Sequence, residues 1–271
     1  MSSRLSIKLH SLQQRGQKAM GIFLTSGFPS PDDTLHLLHA IDQGGADFIE
    51  LGMPHSDPLA EGLPIQHSST TALQAGATMK STLDAVRAFR KTSETPLLLM
   101  GYINPILKFG IRTFCTEAAL AGADGFIIPD LPPQEASMLR DHAQQDRLHL
   151  VFLVAPNTSI ERMKQIDQLS DGFVYCVSIT GLTGTGLDGQ QDTINSYLKD
   201  ARHIIDKNPL MVGFGIQSHQ DAKRLSKHTD GFIVGSAVIK EIKRLWGYSD
   251  LTLQKRCQKL TLFIRSLKPT L

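Results

Sequence analysis

Hydrophobic residues fall along this chain in two kinds of run. The first kind is short, continuous and rich in Phe, Ile, Leu and Val. Eight such runs occur, at residues 19–25 (AMGIFLT), 45–52 (GADFIELG), 96–102 (PLLLMGY), 122–130 (GADGFIIPD), 148–155 (LHLVFLVA), 170–178 (SDGFVYCVS), 210–215 (LMVGFG) and 229–236 (TDGFIVGS). Unbroken apolar runs of this length predict strands buried on both faces, the mark of a parallel sheet. The second kind is periodic. Residues 32–44 place Leu35, Leu38 and Ile41 three apart, with Pro31 before them and Gly44 at the end, which predicts a helix. Residues 81–91 carry Leu83, Val86 and Phe89 on one face behind a polar start. Residues 109–121, 134–145, 159–169, 193–206, 218–227 and 252–267 repeat the habit, and Gly235-Ser236 opens a further helical stretch.

Strands alternating with helices predict right-handed βαβ units. Eight of them predict a closed (β/α)8 barrel with an extra helix at the N-terminal end; a doubly wound open sheet is the alternative. No linker or charge run divides the chain, so residues 1–271 are expected to form one domain. Four of the runs share one pattern, an Asp, then an apolar stretch, then a polar or Gly stop: the Asp residues are Asp47, Asp124, Asp171 and Asp230.

Composition narrows the function classes. Lys plus Arg is 28 against 26 for Asp plus Glu, so no basic excess points to nucleic acid or an anionic membrane. No apolar run is long enough to span a bilayer. The N-terminal segment lacks the apolar stretch of a secretion signal. Three widely spaced cysteines, Cys115, Cys176 and Cys257, fit neither a disulfide framework nor a zinc site, and suit a cytoplasmic protein. His36 and His39 share one helix without a metal-binding motif.

In a barrel of this kind the chemistry sits just after each strand. Glu50 lies inside the second run between Ile49 and Leu51. A carboxylate there is expensive unless paired or functional, so it is either a barrel salt bridge or a general acid/base. The long loop that follows, residues 52–66, carries Asp57 and Glu61 among three prolines. Glu61 is a second carboxylate able to face Glu50, and unequal surroundings would divide acid and base roles between them; both loop acids could also be merely solvated. Asp130, after the fourth run, is expected in a turn or on a partner surface. Four glycines at residues 178–190 suggest a mobile lid. GFGI after the seventh run and GSA after the eighth present backbone amides at a helix start, which suit a phosphate better than they suit a plain turn.

The segments FIELGMPHSDPLAEGLPIQ, GYINPI, GFIIPDLPP, VYCVSITGLTG, VGFGI and VGSAVIK, in this order, resemble the α subunit of tryptophan synthase over nearly the whole chain. The resemblance implies a lyase that splits indole-3-glycerol phosphate into indole and glyceraldehyde 3-phosphate by a retro-aldol step. It implies a β-subunit partner that holds pyridoxal phosphate, in an α2β2 assembly, and no cofactor on this chain. It implies that Glu50 protonates the indole ring carbon and that Glu61 handles the indole N–H. Phe23 and Tyr175 would line the site. Gly184, Gly215, Gly235 and Ser236 would hold the phosphate, and Thr183 would belong to the closing lid. One departure stands out: the family pattern PLADG is here PLAEG, so the second acid is one methylene longer. The alternatives are a weakly active regulatory subunit, which this departure raises, and another phosphate-binding barrel such as a phosphosugar isomerase.

Overall fold

The computed structural model describes residues 3–58, 61–177, 191–213 and 215–268. Eight parallel strands close into one barrel in sequence order. They are β1 (Ala19–Thr25), β2 (Phe48–Gly52), β3 (Leu97–Met100), β4 (Gly125–Ile127), β5 (His149–Val154), β6 (Val174–Val177), β7 (Leu210–Gly213) and β8 (Gly231–Val234). Around them lie α1 (Arg4–Gln14), α2 (Thr34–Gln43), α3 (Leu63–Gln74), α4 (Met79–Phe89), α5 (Ile103–Phe109), α6 (Ile111–Ala121), α7 (Ser137–Gln145), α8 (Ile160–Leu169), α9 (Gln191–Ile204), α10 (His219–Leu225), α11 (Ser236–Trp246) and α12 (Leu253–Leu267). The expected barrel and its N-terminal helix are both present.

The recurring Asp has a structural job. Asp47 donates its backbone N–H to the Met20 carbonyl at 2.8 Å, and its carboxylate accepts the Met20 N–H at 2.9 Å. Asp124 makes the same pair of bonds with Leu97, both at 2.8 Å, and Asp230 makes them with Leu210, both at 2.7 Å. Each Asp heads an even strand and closes the start of the odd strand before it. At β5 the duty is divided. Asp171 N–H donates to the Leu150 carbonyl at 3.0 Å, while Ser170 Oγ accepts the Phe152 N–H at 3.3 Å. Every clamp also meets a basic side chain: Lys268 at Asp47, Arg90 and Arg4 at Asp124, His149 at Asp171, Arg202 at Asp230. All lie at the N-terminal end of the barrel, away from the end where the loops are long.

Inside the barrel, side chains stack in layers. Phe48 from β2 meets Phe173, just before β6, with ring centroids 5.3 Å apart. Two residues further along each strand, and so on the same inner face, stand Glu50 and Tyr175. Gly213 on β7 makes room for the latter: a Cβ there would lie 2.0 Å from the Tyr175 hydroxyl.

Several elements differ from the sequence expectation. Helix α3 occupies Leu63–Gln74, part of which was expected to be loop. Its buried face holds Ser68 and Ser69 beside Ile65 and Ala72, so it lacks the apolar stripe that reveals a helix. Helix α4 begins two residues early because Thr78 and Ser81 form a reciprocal capping box. The expected helix at 109–121 is broken at Gly110, whose φ of 94° ends α5 and starts α6. Asp130 caps α5, accepting the Ile103 N–H at 3.0 Å.

The Asp124 clamp carries a buried ion pair, 3.1 Å from the Arg90 guanidinium. Removing one partner of such a pair strands the other. Asp124→Ala should therefore lower stability in urea denaturation by about 3–5 kcal/mol. Glu94→Ala, which removes the exposed outer partner of Arg4, should leave the midpoint unchanged.

Candidate active site

Glu50 is fully buried, and neither carboxylate oxygen has a hydrogen-bond partner among the described residues. It pairs in register with Phe23 on β1 and Leu98 on β3. Burial pushes its carboxyl well above the usual carboxylate range, and the charge of Glu61 pushes it further. A salt bridge inside the barrel, one of the two expectations for Glu50, is absent among the described residues.

Glu61 is buried too, at 7% exposure, on the loop that follows β2. Burial alone raises its carboxyl to about 7. The reading of Glu61 as a merely solvated loop acid is thereby corrected; Asp57 is the exposed one. Glu61 lines a cleft at the barrel mouth with Phe23, Met53, His55, Ile65, Met100 and Tyr102. The His55 and Tyr102 rings stack at its edge, with centroids 4.8 Å apart and planes 25° from parallel. Tyr175 is buried below, its phenol pushed well up by burial and then by the charges of Glu50 and Glu61. The three groups therefore form one electrostatic unit: when one carboxyl ionises, the other holds its proton more tightly.

The helix start after β8 has the character expected of an anion site. Gly235 precedes α11 and offers no side chain to cap it, so the first amides of the helix lack a side-chain acceptor from that position. A Cβ on Gly235 would come within 3.4 Å of Phe23 and Ile65, and one on Gly62 within 3.9 Å of Ser236 Oγ. The loop bearing Glu61, the aromatic wall of the cleft and the start of α11 therefore converge. Gly215, with φ of 76°, follows the neighbouring strand β7. Thr183 and Gly184, with the whole segment 178–190, lie outside the described residues.

Sequence reasoning missed the support of this site. Gln66 ends the segment 52–66 that reads as loop, and Ser68 and Ser69 follow it in a stretch with no apolar stripe to mark a helix. Ser68 Oγ lies 2.6 Å from Thr25 Oγ1, and Ser69 Oγ bonds the backbone of His55. A usable signal was there: two adjacent hydroxyl residues followed by Ala72, at helical spacing from Ile65.

Comparison with known proteins agrees with this geometry. The family model described as tryptophan synthase alpha chain matches residues 9–268. The tryptophan synthase alpha chain of Halorhodospira halophila is 41% identical over 266 residues, covering 96% of this chain and 95% of its own. The solved tryptophan synthase subunit alpha of Legionella pneumophila superposes with a TM-score of 0.86 at 37% identity, covering 98% and 99%. A tryptophan synthase structure from Mycobacterium tuberculosis gives a TM-score of 0.85 at 30% identity over the whole of both chains. With a closed eight-strand barrel, two coupled carboxyls at its mouth and a family match over almost its full length, the chain belongs to the tryptophan synthase alpha chain family.

Proposed function

We propose that this lyase, which cleaves indole-3-glycerol phosphate to indole and glyceraldehyde 3-phosphate in tryptophan biosynthesis, divides its proton transfers between Glu50 and Glu61. The observation that carries the reading is a fully buried Glu50 without a hydrogen-bond partner among the described residues, coupled to a buried Glu61. Glu61 ionises first, at about 7. Its charge then keeps Glu50 protonated, so the pair enters the reaction as one base and one acid.

The chemistry follows from that split. Glu50 gives its proton to the indole carbon that bears the glycerol chain, while Glu61 takes the proton of the ring nitrogen. The ring is now an indolenine and can accept an electron pair. Glu50, now a carboxylate, takes the proton of the adjacent glycerol hydroxyl. That oxygen forms the aldehyde carbonyl, and the carbon–carbon bond breaks toward the ring. The nitrogen recovers its proton from Glu61, and indole leaves. The cycle balances without a net proton. Phe23 and Tyr175 line the ring pocket. The amides at Gly215, Gly235 and Ser236 take the phosphate, joined by Gly184, with Thr183 in a closing lid. We read the chain as one domain, working in the cytoplasm in an α2β2 assembly. The β subunit supplies the pyridoxal phosphate, and this chain needs none.

Two predictions follow from the carboxyl pair. Both Glu50 and Glu61 keep their protons in the native state at pH values where an unfolded Glu, near 4.5, has lost its own. The stability that this contributes is whole below pH 4.5 and is lost as pH rises; for Glu61 the loss ends at about 7 and amounts to about 3 kcal/mol. Glu50→Gln should accordingly unfold at higher urea than the parent at pH 8, yet release no indole from indole-3-glycerol phosphate. Turnover near the parent rate would remove Glu50 from the mechanism.

The second concerns the longer acid. Glu61→Ala should lose activity by at least 10²-fold, whereas Glu61→Asp should equal or exceed the parent without added β subunit. Equal rates for Glu, Asp and Ala in an indole-release assay would end the two-carboxylate mechanism. A parent that turns over only with the β subunit would favour the regulatory reading.

A further inference from the structure

Helix α3 reaches back to the catalytic loop at two points, one turn apart on the same side. Ser69 Oγ accepts the His55 N–H at 2.7 Å and donates to the His55 carbonyl at 2.7 Å. Gln66 Nε2 donates to the carbonyl of Glu61 itself at 2.8 Å. The Gln66 bond is local, five residues back at the start of the helix, whereas the Ser69 bonds leave the helix altogether. The neighbours Thr70, exposed, and Thr71, half-buried, bond the carbonyls four residues back in their own helix, at Gln66 and His67. Ser69, 3% exposed, instead spends both its donor and its acceptor on a residue fourteen positions earlier. A buried hydroxyl in mid-helix is unfavourable unless so satisfied.

The consequence is mechanical. Residues 53–58 and Glu61 follow β2, and bonds to β3 and α3 hold them along their length. Met53 N–H is bonded to the Met100 carbonyl at 2.7 Å, which fixes the strand end. The Ser69 bridge fixes the middle, where the His55 ring stacks on Tyr102. The Gln66 bond fixes the far side, at the backbone of the acid. Helix α3 is itself held to the rim of β1 by the contact between Ser68 and Thr25.

We propose that Ser69 and Gln66 are positioning residues of the lyase, holding the loop against the barrel rim so that Glu61 stays inside the cleft. The proposal deepens the reading of Glu61 as the partner of the indole nitrogen and rests on it. The raised ionisation of Glu61 has one cause, removal from water, and the two tethers hold the loop backbone before that residue and at its carbonyl. Other groups that face it, among the described residues, are Glu50 from β2, Tyr175 from β6, His55 on the same loop and Tyr102 after β3. Among these, Glu50 and Tyr175 feel its charge.

The test is the pH profile of indole release for the parent, Ser69→Ala, Gln66→Ala and the exposed control Thr70→Ala. In the parent, kcat/KM should rise with pH through an ionisation at about 7. In Ser69→Ala, water reaches the loosened carboxyl. The ionisation should move down toward the ordinary 4.5 while kcat falls about ten- to a hundredfold and KM changes less than threefold. Gln66→Ala, which leaves no buried hydroxyl bridge broken, should shift both in the same direction by less. Thr70→Ala should match the parent.

An unmoved ionisation in Ser69→Ala, whatever its rate, overturns the proposal, since a merely structural loss lowers the rate without moving it. If Ser69→Ala does not fold, Gln66→Ala decides, and a parental profile there overturns the proposal as well. Glu61→Gln, assayed alongside, separates the two levels. Retained activity in that variant defeats the reading of Glu61, whereas lost activity with a parental Ser69→Ala profile defeats the positioning role alone.

Discussion

The barrel depends on how its strands are closed at the N-terminal end. A parallel strand begins with an N–H that the preceding loop does not satisfy, and in this chain a carboxylate supplies the acceptor at β1, β3 and β7. Because the same Asp also donates its own N–H to that strand, each clamp fixes two strands in register at once. The basic partners at the clamps come from distant segments, with Lys268 near the end of the chain and Arg4 near its start. Closure of the sheet and docking of α1 and α12 are thus joined in one set of charges. Half-exposed ion pairs add little net stability; the link between neighbouring strands is the carboxylate's bond to backbone, and the basic partners tie the terminal helices to it.

Specification at one end leaves the other free to carry unfavourable groups. Two carboxyls buried at the mouth, one of them without a hydrogen-bond partner among the described residues, would be a plain defect in a structural barrel. In the proposed reaction the burial that makes them costly also makes them useful. Desolvation keeps Glu50 protonated where an exposed Glu would be ionised, and the charge of Glu61 adds to the effect. The proton inventory of the site is therefore a property of the pair rather than of either residue. Tyr175, buried beside them, is held in its neutral form by the same two causes, and Gly213 is small because that ring needs the space.

Much of this was legible in the sequence, and the exceptions have physical reasons. The eight strands were visible because residues buried on both faces leave unbroken apolar runs. The repeated Asp was visible as a pattern but not as a clamp, since its partner lies some twenty to thirty residues earlier across a helix. Glu50 was identifiable because a carboxylate amid Ile49 and Leu51 has few reasons to be there. Helix α3 was hidden because it buries Ser68 and Ser69, whose hydroxyls are satisfied by Thr25 and His55 rather than by water. A hydropathy pattern scores such residues as exposed. The support of the active site was therefore the least legible part, being made of polar groups whose burial only tertiary structure reveals.

The longer arm of Glu61 fits this arrangement better than it would fit a free loop. An added methylene displaces the carboxyl by roughly 1 Å, enough to matter for proton transfer. A mobile loop could retreat to absorb it, but retreat would also admit water and lower the carboxyl toward its ordinary range. In this chain the backbone on either side is tied to α3 through His55 and through the Glu61 carbonyl. The extra length must then be taken up by the side chain inside a cleft whose walls include Phe23, Met53, Ile65 and Met100. Those walls are apolar, and burying one methylene against them is worth about 0.8 kcal/mol. That gain offsets part of the cost of removing the carboxyl from water. The tethers and the longer side chain are mutually consistent: a fixed backbone makes the methylene go inward, and an inward methylene keeps the carboxyl in the buried position from which its charge raises Glu50.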